Sequence, residues 1–288
     1  MIESLRRRLL DERDAAGLGA FRFLFGLLGF VSALRFLHYG WVDAFFVRPH
    51  YNFHFWFAPF VRPLGEAGMH AVFWVMAASA LAVALGLFYR AAVATFFVVV
   101  TYVQLVDVTN YLNHYVLVSL IALLMLAMPL GRAYSVDALL RPTLARRTLP
   151  GWCSVLLKFQ VGVVYTYAGV AKITEDWLLH AQPLDIWLAS RTGLPVLGPV
   201  LALPWMPYAM SWAGCLFDLT IAWWLLWRRT RPYAFVVVLF FHALTSALFP
   251  IGMFPVIMVV GATSFFDASW PRRFVPAALF ARLERAAS

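Results

Sequence analysis

Eight apolar runs, each near the roughly 20 residues that carry an α-helix across a hydrocarbon core, occupy most of this chain. They lie near 17–38, 68–89, 91–110, 113–130, 153–172, 209–227, 232–249 and 251–266, and two of them are short. Lipid offers no water to backbone N–H and C=O groups, so spanning segments must be helices or strands of a closed barrel. Barrel strands run to about 10 residues with alternating polarity, and these runs are longer and continuously apolar. The predicted fold is an all-α integral membrane protein, a single bundle of about eight transmembrane helices. Composition agrees: 63% of residues are hydrophobic and 13% charged, against roughly 25% charge in soluble domains, and mean hydropathy is +0.78. The net charge of +9 does not indicate nucleic acid, because the basic residues stand in short clusters between apolar runs and no DNA-reading motif accompanies them.

Those clusters give orientation. The N-terminal segment, Arg90, the 131–152 loop, the 228–231 turn and the C-terminus hold 16 of the 23 Lys and Arg. The opposite loops hold Arg48, Arg62, Lys172 and Arg191, while Arg22, Arg35 and Lys158 lie within spans. By the positive-inside rule both termini are cytoplasmic and the opposite loops face outward. The organisation read from this is a cytoplasmic amphipathic segment, 1–16, a polytopic domain, 17–268, and a cytoplasmic tail, 269–288. The charged start carries no cleavable signal peptide, since the first apolar run continues as a full span. Neither internal repeats nor broken matching halves support a transporter. Cys153 and Cys215 fall at different depths, which argues against a structural disulfide.

The outer regions are then 39–67, 110–114, 172–208 and the 249–251 turn. Trp41, Phe45, Phe46, Tyr51, Phe53, Phe55, Trp56 and Phe57 crowd the first, which reads as an interfacial or re-entrant segment.

Ionisable groups inside a span face the protein interior and are functional candidates by default. Asp107 and Asn110 are i and i+3, and one further helical turn reaches Asn113 and His114, so all four are expected on one face; a hydrogen-bonded helix junction is the other reading. Lys172 ends an apolar run on the side where basic residues are scarce, with Gly162 and Gly169 pointing to close helix packing. A lysine beside an apolar pocket loses solvation of its ammonium form and becomes available as a general base. It can equally snorkel to the interface or pair with Glu175 or Asp176. Asp218 is too deep to snorkel and needs a buried Lys, a hydroxyl or its own proton. His242 shares a helix face with Thr245, Ser246 and Phe249, as a satisfied core histidine or a site residue. No helix carries metal-ligand spacing, and no phosphate loop or GxSxG elbow is present, so no metal is expected.

Four spaced stretches resemble one family. Leu85-Gly-Leu-Phe-Tyr-Arg90, Asp107-Val-Thr-Asn-Tyr-Leu-Asn-His114, Ala168-Gly-Val-Ala-Lys-Ile-Thr-Glu-Asp-Trp177 and Phe241-His-Ala-Leu-Thr-Ser-Ala-Leu-Phe-Pro-Ile-Gly-Met-Phe254 resemble the membrane domain of vitamin K-dependent γ-carboxylase. Bacterial relatives are often called horizontally transferred transmembrane domain proteins. The similarity runs in order to Ser269-Trp-Pro-Arg272.

The resemblance implies an enzyme that oxygenates vitamin K hydroquinone, menaquinol or phylloquinol, with O2 to the epoxide, the strong base so formed removing a glutamate γ-proton to which CO2 adds. Lys172 matches the lysine that deprotonates the hydroquinone, with Ala171 where the family has a second lysine. His114, after Asn113, matches a pair associated with carboxylation. His242 with Ile251, Gly252, Met253 and Phe254 matches the segment bordering the naphthoquinone, and Tyr165 is grouped with them as a cofactor-binding candidate. Asp107, Asn110 and Asp218 are supporting residues. Membrane lipid and an isoprenoid quinone are the implied partners, with an acidic peptide or small carboxylate as substrate and no nucleic acid. Members acting on secreted proteins carry a large soluble region after the membrane domain, and this chain ends about 20 residues after its last span. Quinol oxygenation is therefore implied more directly than peptide carboxylation. A non-enzymatic quinone- or lipid-binding partner protein is the alternative reading.

Overall fold

A computed structural model describes residues 9–274. It divides into two compact units, 1–157 with 266–288, and 158–265, where the sequence suggests one bundle. Among the described residues, six helices are long and apolar enough to cross a membrane: α1 (Ala16–His38), α2 (Gly65–Leu85), α3 (Tyr89–Val106), and, after α4 (Asn113–Ala127), α5 (Gly151–Val170), α6 (Met206–Leu226) and α7 (Arg231–Leu248). Helix α4 and α8 (Phe254–Thr263) are shorter apolar helices. At 1.5 Å per residue they span about 22 and 15 Å, less than the core thickness. The reasons are local. Pro129 follows the end of α4 directly after Met128, and Pro250 with the left-handed Gly252 (φ 61) stops the chain from continuing α7 into α8. Part of each predicted run is thus turn, and of the eight predicted spans six appear as helices of spanning length and two as shorter apolar helices.

In the first unit, α1 packs along α2, α2 along α3 and α3 along α4. Gly26 permits the first of these: a Cβ there would come 2.7 Å from the Ala80 carbonyl oxygen, so small residues let the backbones approach. Gly86 (φ 66) ends α2 in the left-handed region, with Leu87 N–H bonded to Ala82 O at 2.9 Å. Helix α3 follows almost at once, and its first amides, Phe88 and Tyr89, donate to the Asp137 carboxylate at 2.8 Å each. That carboxylate satisfies two of the orphan donors of a helix start and complements its dipole.

The all-helical expectation needs one addition, a two-stranded antiparallel ladder, β1 (Glu12–Asp14) with β2 (Thr148–Pro150). Both strands are only three residues long, and their pairing links segments far apart in sequence, so no periodicity announces them. Nearby, Arg272 donates to Asp14 at 2.8 Å. Residues 1–8 of the predicted amphipathic N-terminal segment and 275–288 of the predicted C-terminal tail lie outside the described residues.

The basic residue Arg22, counted among the spans, is 2% exposed. Its guanidinium donates to the carbonyls of Leu130, Ala133 and Tyr134 at 3.0, 3.3 and 2.7 Å, which holds the segment after α4 against α1. In the second unit α6 packs on α7 and α7 on α8. The connection from α5 to α6 folds as short helices, Glu175–Leu178, Leu184–Ala189 and Gly198–Leu201, around Leu184, Leu188, Leu201 and Leu248.

Candidate functional site

The strongest constellation lies in the second unit, where α5 meets α6. Gly169 faces α6 so closely that a Cβ would sit 2.7 Å from Leu219 Cγ and 2.8 Å from its backbone nitrogen. Gly162 has only ordinary contact, 3.9 Å to the Ala222 Cβ, so one of the two glycines, not both, brings the helices together. Just past this approach α5 ends, and Lys172 reaches back across it. Its Nζ donates to Asp218 Oδ2 at 2.7 Å and to Ala168 O at 3.2 Å, and lies 5.2 Å from the ring centre of Trp177.

Two sequence alternatives for Lys172 are thereby replaced. It is paired, but with Asp218 on α6 and not with Glu175 or Asp176, and its side chain is only 21% exposed. Glu175 sits instead 4.0 Å from His180. The partner that Asp218 requires at 6% exposure is therefore this partly buried lysine. Trp177, not among the predicted site residues, completes the site: its indole donates to Ser211 O at 2.9 Å and its carbonyl accepts from the Ser211 hydroxyl. Both bonds pin the turn after Lys172 to α6, so the ring stays over the ammonium.

Seven residues before Lys172 in the chain, within α5, Tyr165 bonds His242 on α7, Oη to Nε2 at 3.0 Å. Both residues are 2% exposed. Phe241, Phe254 and Phe217 surround the imidazole at ring-centre distances of 5.4, 6.0 and 6.2 Å, and Phe217 stacks on Phe241 at 3.9 Å. Phe254 is the last of the Ile251 to Phe254 group to reach this shell. Ile251 and Gly252 form the turn before it, and Met253 is the N-cap of α8. The second ring nitrogen of His242, Nδ1, is buried with no hydrogen-bond partner. Phe217, beside Asp218 on α6, links the two pairs and was missed because a Phe in an apolar run looks like any other.

The first unit holds the other candidates, in a different arrangement from the predicted helical face. Helix α3 stops at Val106; Asp107 (φ −148, ψ 121) and Leu112 (φ −136, ψ 131) are extended, with a 3-10 turn, Val108–Asn110, between them. The four residues therefore do not share a face. Asp107 caps this turn, accepting from the Thr109 N–H at 2.9 Å, the Thr109 hydroxyl at 2.7 Å and Asn52 Nδ2 at 3.1 Å. Val108 N–H bonds Phe53 O at 2.8 Å, and Asn110 Nδ2 donates to Phe45 O at 3.4 Å. Both bonds tie the aromatic 39–64 segment to the junction. Burial raises the pKa of Asp107, but the hydrogen bonds from Thr109, Asn52 and the Phe53 backbone together outweigh it and hold the carboxyl below its ordinary 3.8. Asn113 starts α4 exposed, while His114 is buried with its ring 4.5 Å from that of Tyr115. Cys153 and Cys215 are both buried and free.

No solved structure matches the chain. The HTTM domain matches it over residues 11–270, nearly its whole length, and so takes in both units and every residue of the two constellations. The chain belongs to the HTTM domain family, the domain of vitamin K-dependent γ-carboxylase.

Proposed function

We propose that this chain is a membrane enzyme that deprotonates a vitamin K-type naphthohydroquinone and promotes its oxygenation by O2 to the epoxide, with Lys172 as the base. The observation that carries the reading is the Lys172–Asp218 pair at 2.7 Å, partly covered by the Trp177 ring. A reduced naphthoquinone, when bound, would supply the electrons for O2 chemistry. The residues suit such a ring: three phenyl groups surround His242, and its partnerless Nδ1 offers a hydrogen bond to a ring oxygen. Tyr165, bonded to Nε2, fixes the imidazole orientation.

In this reading Nζ of Lys172 accepts the hydroxyl proton, and the Asp218 carboxylate, 2.7 Å away, holds the side chain in place and stabilises the ammonium that forms. Asp218 is thus a positioning residue. We extend the proposal to a coupled carboxylation of glutamate or a small carboxylate, with Asn113 and His114 serving CO2 addition. We further propose that α4 and α8 complete an eight-segment membrane domain with cytoplasmic termini and the Lys172 end outward, in a bacterial inner membrane, on the strength of the charge distribution.

The test is epoxide formation by the purified protein supplied with reduced menaquinone or phylloquinone and O2. Turnover that vanishes in Lys172→Ala is the expected outcome; no epoxide from a folded sample, or equal turnover in that variant, overturns the reading. The same ion pair also favours a second reading, since three partners engage the ammonium as a clasp between α5 and α6. A non-enzymatic quinone- or lipid-binding protein would then show binding without epoxide, and Lys172→Ala would lower only stability or affinity.

A further inference from the structure

The first unit contains a cavity of about 430 Å³ unrelated to the Lys172 site, between the start of α3 and the segment after α4. Arg90, Arg132 and Arg141 line it, with Asp137 as the acidic residue in its wall. Asp137 is already committed, its two oxygens accepting the Phe88 and Tyr89 amides. Arg90 donates to the Leu126 carbonyl. Among the described residues, Arg132 and Arg141 form no ion pair, and both are exposed. The cavity therefore carries excess positive charge from guanidiniums with unused donors, the group best matched to phosphate oxygens.

Its rim is apolar. Phe88 and Leu140 are 67% and 66% exposed, and Leu144 is 44% exposed, beside the ends of two helices whose apolar lengths begin at Tyr89 and finish at Ala127. A soluble anion has no use for such a rim, whereas acyl chains do. We propose that this cavity binds the phosphate of an anionic phospholipid, with Arg132 and Arg141 on the phosphate and the chains leaving over Phe88 and Leu140. Basic pockets near the cytoplasmic ends of spans commonly meet lipid headgroups in this way.

The experiment is native mass spectrometry of the full chain from detergent micelles doped with phosphatidylglycerol or phosphatidylcholine. Phosphatidylglycerol should be retained about 25-fold better, and Arg132→Gln with Arg141→Gln should remove that preference, since each surface arginine contributes roughly fivefold. Arg132→Lys with Arg141→Lys, which keeps the charge, should preserve most of it, and Arg141→Glu alone, at an exposed position, should lower it. Millimolar inorganic phosphate should leave the retained lipid in place. Equal retention of the two lipids, a preference unchanged in the glutamine variant, or displacement by inorganic phosphate would each overturn the assignment.

Discussion

Asp107 and Asp218 are both buried aspartates, 3% and 6% exposed, one just past the end of α3 and the other in the middle of α6, and in the sequence both stand out as acids in apolar runs. Their surroundings differ in kind. Asp107 accepts three hydrogen bonds from neutral groups, two of them from the next-but-one residue, as a fixed cap on a turn does. Asp218 has one cationic partner, Lys172, reached across a helix crossing. A carboxylate saturated by local donors has little left to offer chemistry. One held by a single lysine from a different segment can serve that lysine's chemistry.

The sharpest way to break this comparison is activity. Lys172→Ala should reduce epoxide formation by roughly a thousandfold or more, within the range for loss of a general base, whereas Asp107→Asn should leave turnover within a factor of a few; equal losses in the two would erase the distinction. Stability comes next. Asp218→Ala strands the Lys172 ammonium and should cost about 3 kcal/mol, while Lys172→Met with Asp218→Leu should regain most of this without regaining turnover. Thermal melting in detergent reads both.

Gly169→Ala should have a smaller effect, about 1 to 3 kcal/mol, because its Cβ would meet Leu219 at 2.7 Å and push α5 from α6; Gly162→Ala should be nearly silent. The smallest effect is at Asp107. Its carboxyl is held below 3.8, so its stabilising contribution is present at neutral pH and is lost as pH falls through that depressed value. The melting curves of wild type and Asp107→Asn, about 1 kcal/mol apart at pH 7, should therefore converge in strong acid.

Much of the fold was legible because lipid imposes it. Apolar length places the helices to within a few residues: the run read as 17–38 is Ala16–His38, and 153–172 begins as Gly151–Val170. The runs 113–130 and 251–266 were overlong because hydropathy does not register a proline or a left-handed glycine that ends a helix early. The short β1–β2 ladder left no periodic trace. At the site, Lys172, Asp218 and His242 stood out as costly residues in apolar runs, and Tyr165 and Phe254 came from the resemblance. Trp177, Phe217 and Asn52 carry no such mark, since an aromatic in a span or an asparagine in a loop is common.

What the sequence determined by itself is the solvent this protein lives in, the order of its helices and the family it belongs to, since each depends on composition and spacing along one dimension. What only the tertiary structure decided is pairing. Lys172 has acidic residues three and four positions away in Glu175 and Asp176, yet it bonds Asp218, 46 residues away. Gly169 lets α6 approach closely enough for that, and the helix end at Val170 turns the lysine toward it. The same logic left Asp107 to its neighbours, because α3 ends one residue before it and the extended backbone there brings Thr109 within reach first.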